Sequence, residues 1–238
     1  MITKNYQICG YDITANNNIK PSTYLRFMQD AANEDAKRLG ANYNSMKSNG
    51  MIFVISKMRV ELTDTPQFDS TVSVRTWNNS ISGVTFQREY ELSCDGAVFG
   101  KATSRWALIN YKTRQLLRAD ALKSCVTTNA DEDIGVFLQR RIKHSENAIQ
   151  ITNNYKVTLS DLDANGHVNN CRYGDYIIDY SGIDLSYKKI VAFEIHYLSE
   201  MMAGDEVCFA SEIDNNVSNV IVTNSNKKQI FSATLCVI

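Results

Sequence analysis

Hydrophobic and polar positions alternate in two textures along this chain, and the two come in the same order twice. From Ser22 to about Leu39, apolar side chains return at three- and four-residue steps (Leu25, Met28, Ala32, Ala36, Leu39), the spacing of one buried helical face. Pro21 suits the first turn of that helix, where its missing N–H costs nothing, and Gly40 supplies a stop. The texture then changes to period two. Met51–Leu62, Thr71–Trp77, Val84–Ser93 and Ala97–Tyr111 read as strands, the last two joined by a Cys94-Asp95-Gly96 turn. A short strand over Tyr6–Tyr11 precedes the helix. Arg118 to about Asn153 has weaker periodicity and reads as a linker. After it, Tyr155–Leu159 reads as a strand and a polar turn follows. Val168, Cys171, Tyr176, Ile177 and Tyr180 then give a second apolar helical face. Ile190–Leu198, Glu206–Asp214, Ser218–Ser225 and Lys228–Val237 complete the set of strands.

Each half is thus a strand, a helix and four more strands, an α+β unit in which a helix packs on an antiparallel sheet. The residues repeat as well as the elements. Asp12–Asp30 aligns without gaps with Asp161–Asp179, 149 positions on. Asp12/Asp161, Ala15/Ala164, Asn16/Asn165, Tyr24/Tyr173 and Asp30/Asp179 are identical, five of 19 positions. At residue frequencies near 5%, about one identity is expected by chance. Two tandem copies of one fold follow, with an N-terminal copy over residues 1–118, a linker over 119–152 and a C-terminal copy over 153–238. Each copy supplies what a partner subunit would supply in a homodimer, and a homodimer of the whole chain stays open.

Composition narrows the class. The chain has 238 residues, 44% of them hydrophobic, enough for a large core. A formal net charge of −1 argues against a general nucleic-acid binder. No apolar run approaches the ~20 residues that span a membrane, and the start lacks the apolar core of a secretory signal. Six scattered cysteines without a Cys-x-x-Cys pair read as reduced thiols, which points to a cytoplasmic protein.

Candidate chemistry gathers in the second copy. Asp161, Asp163, Asn165 and His167 fall within seven residues, on turn-forming sequence ahead of a helix. There, backbone N–H groups and the helix dipole favour developing negative charge, which suits acyl transfer. The same residues can also be read as helix caps with a structural histidine. The internal repeat weighs against that second reading. Where the second copy has Asp163 and His167, the first has Thr14 and Asn18, so the turn persists while two chemically able groups do not. Asp161 is matched by Asp12, which favours a turn-forming role for both.

The string Asp163-Ala164-Asn165-Gly166-His167-Val168-Asn169-Asn170, with Tyr173 after it, resembles the hot-dog thioesterases, above all the fatty acyl–acyl carrier protein (ACP) thioesterases of plants and bacteria. The resemblance covers nearly the whole chain and implies two tandem hot-dog domains. It implies hydrolysis of fatty acyl-ACP to free fatty acid and holo-carrier in fatty acid biosynthesis, with no cofactor and no metal. It places the site at Asp163, Asn165 and His167, with a Glu opening a loop between later strands, here Glu200. The family's acyl tunnel lies largely in the N-terminal copy, which makes residues 25–39 and 51–58 candidates, joined by the Trp77 and Trp106 strands.

In such a site, Asp163 or Glu200 acts as general base or nucleophile, with Asp163 favoured. Asn165 donates to the thioester carbonyl or holds the water, and His167 orients a carboxylate or protonates the leaving thiolate. Backbone N–H groups at the second helix's start are candidate oxyanion donors. A cysteine nucleophile has been placed directly after the family's Glu, but that position is Met201 here, and Cys171 reads as core. His196 reads as structural or pocket-lining, His144 as surface. The acidic carrier would dock on basic residues, for which Arg140, Arg141, Lys143 and Arg172 are candidates. Hydrolysis of acyl-CoA and non-catalytic binding of acyl chains or carrier protein are the competing functions.

Overall fold

The alternating runs form the strands expected of them. In the computed structural model, which describes residues 1–122, 128–129, 132–142 and 149–238, ten strands and three α-helices occur among the described residues. The strands are β1 (Ile2–Gln7), β2 (Met51–Leu62), β3 (Thr71–Ser82), β4 (Thr85–Cys94), β5 (Ala97–Asn110), β6 (Ile149–Lys156), β7 (Ile190–Tyr197), β8 (Glu206–Asp214), β9 (Val217–Asn224) and β10 (Gln229–Val237). The helices are α1 (Pro21–Arg38), α2 (Tyr43–Ser48) and α3 (Arg172–Tyr180). Lys143, His144 and Cys125 lie outside the described residues.

Four expectations need correction. Strand β6 runs Ile149–Lys156 and not Tyr155–Leu159, because Leu159–Asp161 winds into a 3-10 turn; the strand begins inside the stretch read as linker. The first strand is Ile2–Gln7 and not Tyr6–Tyr11, because Gly10–Asp12 winds into a 3-10 turn whose Asp12 carboxylate accepts the Cys9 N–H at 2.9 Å. Helix α2 was not foreseen. It buries only Met46 and is started by Asn42, whose side chain accepts the Ser45 N–H at 3.0 Å. Helix α3 begins at Arg172, so Val168 is not helical; it pairs in an isolated β-bridge with Leu162.

Contacts divide the chain into two compact units. The first comprises Met1–Ile8, Phe27–Glu61 and Asp69–Leu138; the second comprises Cys9–Arg26, Leu62–Phe68 and Gln139–Ile238. The strands of the first lie in the order β1-β3-β4-β5-β2, those of the second in the order β6-β8-β9-β10-β7. This is one permutation used twice, with antiparallel β1–β3, β3–β4 and β4–β5 ladders answered by β6–β8, β8–β9 and β9–β10. Asp95 and Gly96 hold positive φ in the β4–β5 hairpin (50° and 80°), as a tight two-residue turn requires.

In the first unit α1 is fixed to the sheet by rings and charges. Phe27 stacks on Tyr6 of β1 at 4.4 Å, Asp30 accepts the Tyr6 hydroxyl at 2.7 Å, and Asp35 accepts Arg88 of β4 at 2.9 Å. In the second unit the space under α3 is filled with aromatic rings. Tyr180 stacks on Phe209 at 4.0 Å, Tyr176 meets the same ring edge-on at 5.5 Å, and Tyr173 meets Phe231 at 4.7 Å. The two halves therefore share topology and differ in how they fill the space beneath the helix.

Candidate active site

The polar turn of the second copy is built around a buried carboxylate. Asp161, 1% exposed, accepts hydrogen bonds from the Thr158 N–H (2.8 Å), the Thr158 hydroxyl (2.9 Å), the Tyr155 hydroxyl (2.6 Å) and Arg172 Nε (2.9 Å). Burial alone would raise its pKa. The bonds from Arg172, Tyr155 and Thr158 together outweigh that and lower it to about 2. Asp161 thus stays charged and ties β6, the turn and α3 together, which is the turn-forming role expected of it.

Asp163–His167 forms the loop proper. The Asp163 N–H donates to the His167 carbonyl at 2.8 Å, and Gly166, at φ +80°, donates back to the Asp163 carbonyl at 3.0 Å. Positive φ is the conformation that glycine adopts without strain. The Asp163 carboxylate accepts the Asn165 N–H at 2.7 Å, with Asn165 Nδ2 3.4 Å from its second oxygen. Asp163 therefore fixes both the backbone and the amide of Asn165.

A second segment delivers Glu200. The Val168 N–H donates to the Met201 carbonyl at 2.8 Å, and His167 and Met202 pair in an isolated β-bridge. Asp205 accepts the Met202 N–H at 2.8 Å and closes that loop. His167 Nε2 comes to lie 3.6 Å from Glu200 Oε2, with side chains 27% and 45% exposed. The structure thus brings Asp163 to Asn165 and His167 to Glu200, and the Asp163–His167 backbone bond joins the two pairs. Both pairs are open to solvent while the supporting Asp161 is not, an arrangement suited to accepting a substrate.

The first copy keeps the scaffold bond for bond. Thr14 N to Asn18 O (2.8 Å), Asn17 N to Thr14 O (3.0 Å), Lys20 N to Asp12 O (2.9 Å) and the Ile13–Ile19 bridge repeat their counterparts 149 positions on. Asn17, at φ 59°, stands where Gly166 does. Its side chains serve another purpose. Asn18 is 4% exposed, donates to the Lys188 carbonyl at 2.9 Å and accepts the Ile190 N–H at 3.3 Å, so it secures the start of β7.

The other sequence candidates divide clearly. Burial pushes the Cys171 thiol up to about 12, so it is no thiolate nucleophile near neutral pH. His196, 3% exposed, lies with Nε2 2.6 Å from Oε1 of Glu194, itself 0% exposed, within β7. The first-turn donors of α3 are engaged locally. Cys171 N donates to Asn169 Oδ1 (2.9 Å), Arg172 N to the Asn169 carbonyl (2.8 Å) and Gly174 N to the Cys171 carbonyl (3.0 Å). Arg172 is held by Asp161 and by Asp175 at 2.6 Å, which removes it from the basic docking candidates; Arg140 and Arg141 are exposed. Tyr197, which sequence reasoning passed over, donates its hydroxyl to the Asn170 carbonyl at 3.1 Å and steadies the end of the turn.

A cavity opens in the first unit, beneath the second half of α1. Its volume is about 80 Å³, below the ~300–1,000 Å³ usual for small-ligand pockets, so a long acyl chain would have to widen it. Ala32, Ala36, Leu39, Phe53, Phe86 and Trp106 give it apolar walls, and Asn78 and Arg88 also line it. Helix α1 has 18 residues and α3 nine, and small alanines on α1 leave space of a kind that aromatic rings fill under α3.

Residues 1–121 match the family model described as the acyl-ACP thioesterase N-terminal domain, and residues 144–233 the model of the C-terminal domain. Among curated relatives, oleoyl-acyl carrier protein thioesterase 1, chloroplastic, of Arabidopsis thaliana is 25% identical over 191 residues, covering 73% of this chain and 53% of that protein. The chain spans about half the length of the curated relatives it matches. Among solved structures, an acyl-ACP thioesterase from Bacteroides thetaiotaomicron aligns over 100% of this chain and 97% of its own, with a TM-score of 0.87 at 24% identity. The 12:0-ACP thioesterase from Umbellularia californica aligns over 100% and 96%, with a TM-score of 0.84 at 17% identity. These likenesses show the fold, two tandem hot-dog domains, as the sequence leads one to expect.

Proposed function

The chain belongs to the acyl-ACP thioesterase family, and on that premise we propose that it hydrolyses fatty acyl-ACP, releasing free fatty acid and holo-carrier. The carrying observation is the divergence of the two turns: three matched backbone bonds and a matched bridge, with Asn18 committed to β7 and His167 set beside Glu200 in the open. A capping role would leave no reason for that difference.

In the proposed reaction a water oxygen attacks the thioester carbonyl carbon, the C–S bond breaks, and the thiol leaves protonated. Asp163 is the carboxylate that takes the water's proton, or that attacks the carbonyl carbon first. Direct attack expels the thiol and leaves an anhydride, which water then hydrolyses to the free acid and the restored Asp163. Asn165 Nδ2, oriented by Asp163, donates to the carbonyl oxygen as negative charge develops there. Glu200 holds His167, which delivers a proton to the leaving sulfur. The 3.6 Å His167–Glu200 gap is loose, as such contacts often are before substrate binds.

The N-terminal copy, residues 1–118, is assigned the acyl chain and the C-terminal copy, residues 153–238, the chemistry. The cavity under α1 is apolar where an alkyl chain needs it, whereas rings pack the space under α3. Exposed Arg140 and Arg141 are the basic residues offered to an acidic carrier. No described helix is long and apolar enough to cross a membrane, and we place the protein in the cytoplasm, with assembly into a homodimer left to measurement.

The deciding experiment is a hydrolysis panel of acyl-ACPs and acyl-CoAs of several chain lengths, with Asp163→Asn beside the wild type. Turnover of acyl-ACP that the substitution abolishes supports the proposal. Turnover of CoA esters alone reassigns the substrate, and acyl binding without turnover of either makes the protein a binder.

A further inference from the structure

Arg88 does not belong in an ordinary acyl pocket. It sits in the middle of β4, in register with Phe86 and Tyr90 on the strand's buried face, and is 7% exposed. Its Nη1 donates to Asp35 Oδ2 at 2.9 Å and to Thr76 Oγ1 at 3.2 Å. Among the described residues those are its side chain's only hydrogen-bond partners, which leaves Nε and Nη2 without one, on a side chain that lines the cavity. Asp35, 2% exposed, balances the charge without satisfying these donors.

An unsubstituted alkyl chain lying against Arg88 would strip water from charged N–H groups and return nothing, a penalty of the kind that buried unsatisfied donors carry. An oxygen on the chain would accept from them. Asn33 and Asn78 line the same cavity and add amides to the polar part of its wall. The remaining walls, Ala32, Ala36, Leu39, Phe53, Phe86 and Trp106, suit methylenes on either side of such an oxygen. We infer that, the cavity being the acyl pocket of the proposed hydrolase, its preferred substrates are acyl chains bearing a hydroxyl or keto oxygen at the carbon that reaches Arg88. Arg88 is then a specificity residue, remote from bond breaking.

The test is a pair of substrate series, unsubstituted thioesters and the same chains with one hydroxyl moved along them, assayed on wild type and on Arg88→Met/Asp35→Leu. The double substitution removes both buried members of the ion pair and leaves only the part-exposed Met1 ammonium, 3.3 Å from Asp35 in the wild type, without its carboxylate. Wild type should prefer one hydroxyl position by at least about tenfold in kcat/KM, as expected of one hydrogen bond to a charged group. The double variant should bring that ratio to about one. Calorimetric titration of the free hydroxy and plain acids gives a readout that does not require hydrolysis. Hydrolysis with no hydroxyl preference in wild type, or a preference that survives in the variant, overturns the inference and leaves the hydrolase proposal standing. Selective binding of the hydroxy acid with no thioester turned over upholds the pocket's selectivity and overturns the hydrolase proposal. Should the variant fail to fold, the wild-type series alone decides.

Discussion

His167 Nε2 and Glu200 Oε2 stand 3.6 Å apart, beyond hydrogen-bond length and within ion-pair reach. They come from two segments joined by the Val168–Met201 backbone bond and the His167–Met202 bridge, so main-chain pairing sets the approach and the side chains keep room to adjust. Glu200→Gln should then weaken turnover less than loss of His167 does. We expect Glu200→Gln to lower kcat about 10-fold and His167→Ala about 10²- to 10⁴-fold, with melting temperatures close to wild type. Steady-state kinetics on both variants decide it, and equal, negligible effects would remove the pair from the mechanism.

Asp163→Asn keeps an oxygen acceptor for the Asn165 N–H and removes the carboxylate charge. Activity should fall about 10²- to 10⁴-fold with the fold intact, seen as unchanged circular dichroism beside lost hydrolysis.

Asn18→Ala tests the other turn. It deletes two hydrogen bonds to the start of β7 from a buried side chain and should destabilise the protein by about 1–3 kcal/mol in urea unfolding. Per folded molecule, kcat should not change. A large loss of kcat would show that the first copy takes part in the chemistry.

Asp161 gives the protein an acid limit. Its folded pKa, about 2, lies below the ~3.9 of an unfolded aspartate, so its stabilising contribution is complete well above pH 4. That contribution is lost as pH falls through 4 towards 2. In Asp161→Asn the contribution is absent at every pH. Denaturation of the two proteins at several pH values should show a gap of about 1–2 kcal/mol at pH 7 that narrows by pH 3.

Gly174→Ala should be among the most damaging single-methyl changes. A Cβ there would lie 2.4 Å from Ser22 N and 2.7 Å from Pro21 C, both main-chain atoms at the start of α1 that cannot rotate away. A loss of about 1–3 kcal/mol or more in thermal or urea unfolding is expected.

Much of this was legible in the sequence. β2 and β8 fall where the alternation places them, and the repeat of Asp12–Asp30 in Asp161–Asp179 reappears as matched hydrogen bonds. What escaped did so for identifiable reasons. In β1 only Ile2 is fully buried, so an edge strand carried no apolar rhythm, while Ile8 drew the reading too far along the chain. Helix α2 had one buried residue and only a cap to announce it. Val168 prolonged the helical spacing of α3 because a β-bridge happens to bury it too. Arg88 was passed over because a charge in a strand is read as solvent-facing by default. The signal was its place two residues from both Phe86 and Tyr90.

The unequal helices also bear on how such a protein can change over time. In a dimer of identical chains, every substitution that widens a cavity under the helix is imposed on both subunits at once, and selection must judge the two effects together. Here α1 can gain or lose an alanine at Ala32 or Ala36 while the ring packing beneath α3 keeps its own sequence. A lineage, or a designer, can therefore reshape the cavity under α1 by drift along one helix while the segment from Asp161 to Glu200 stays under separate constraint.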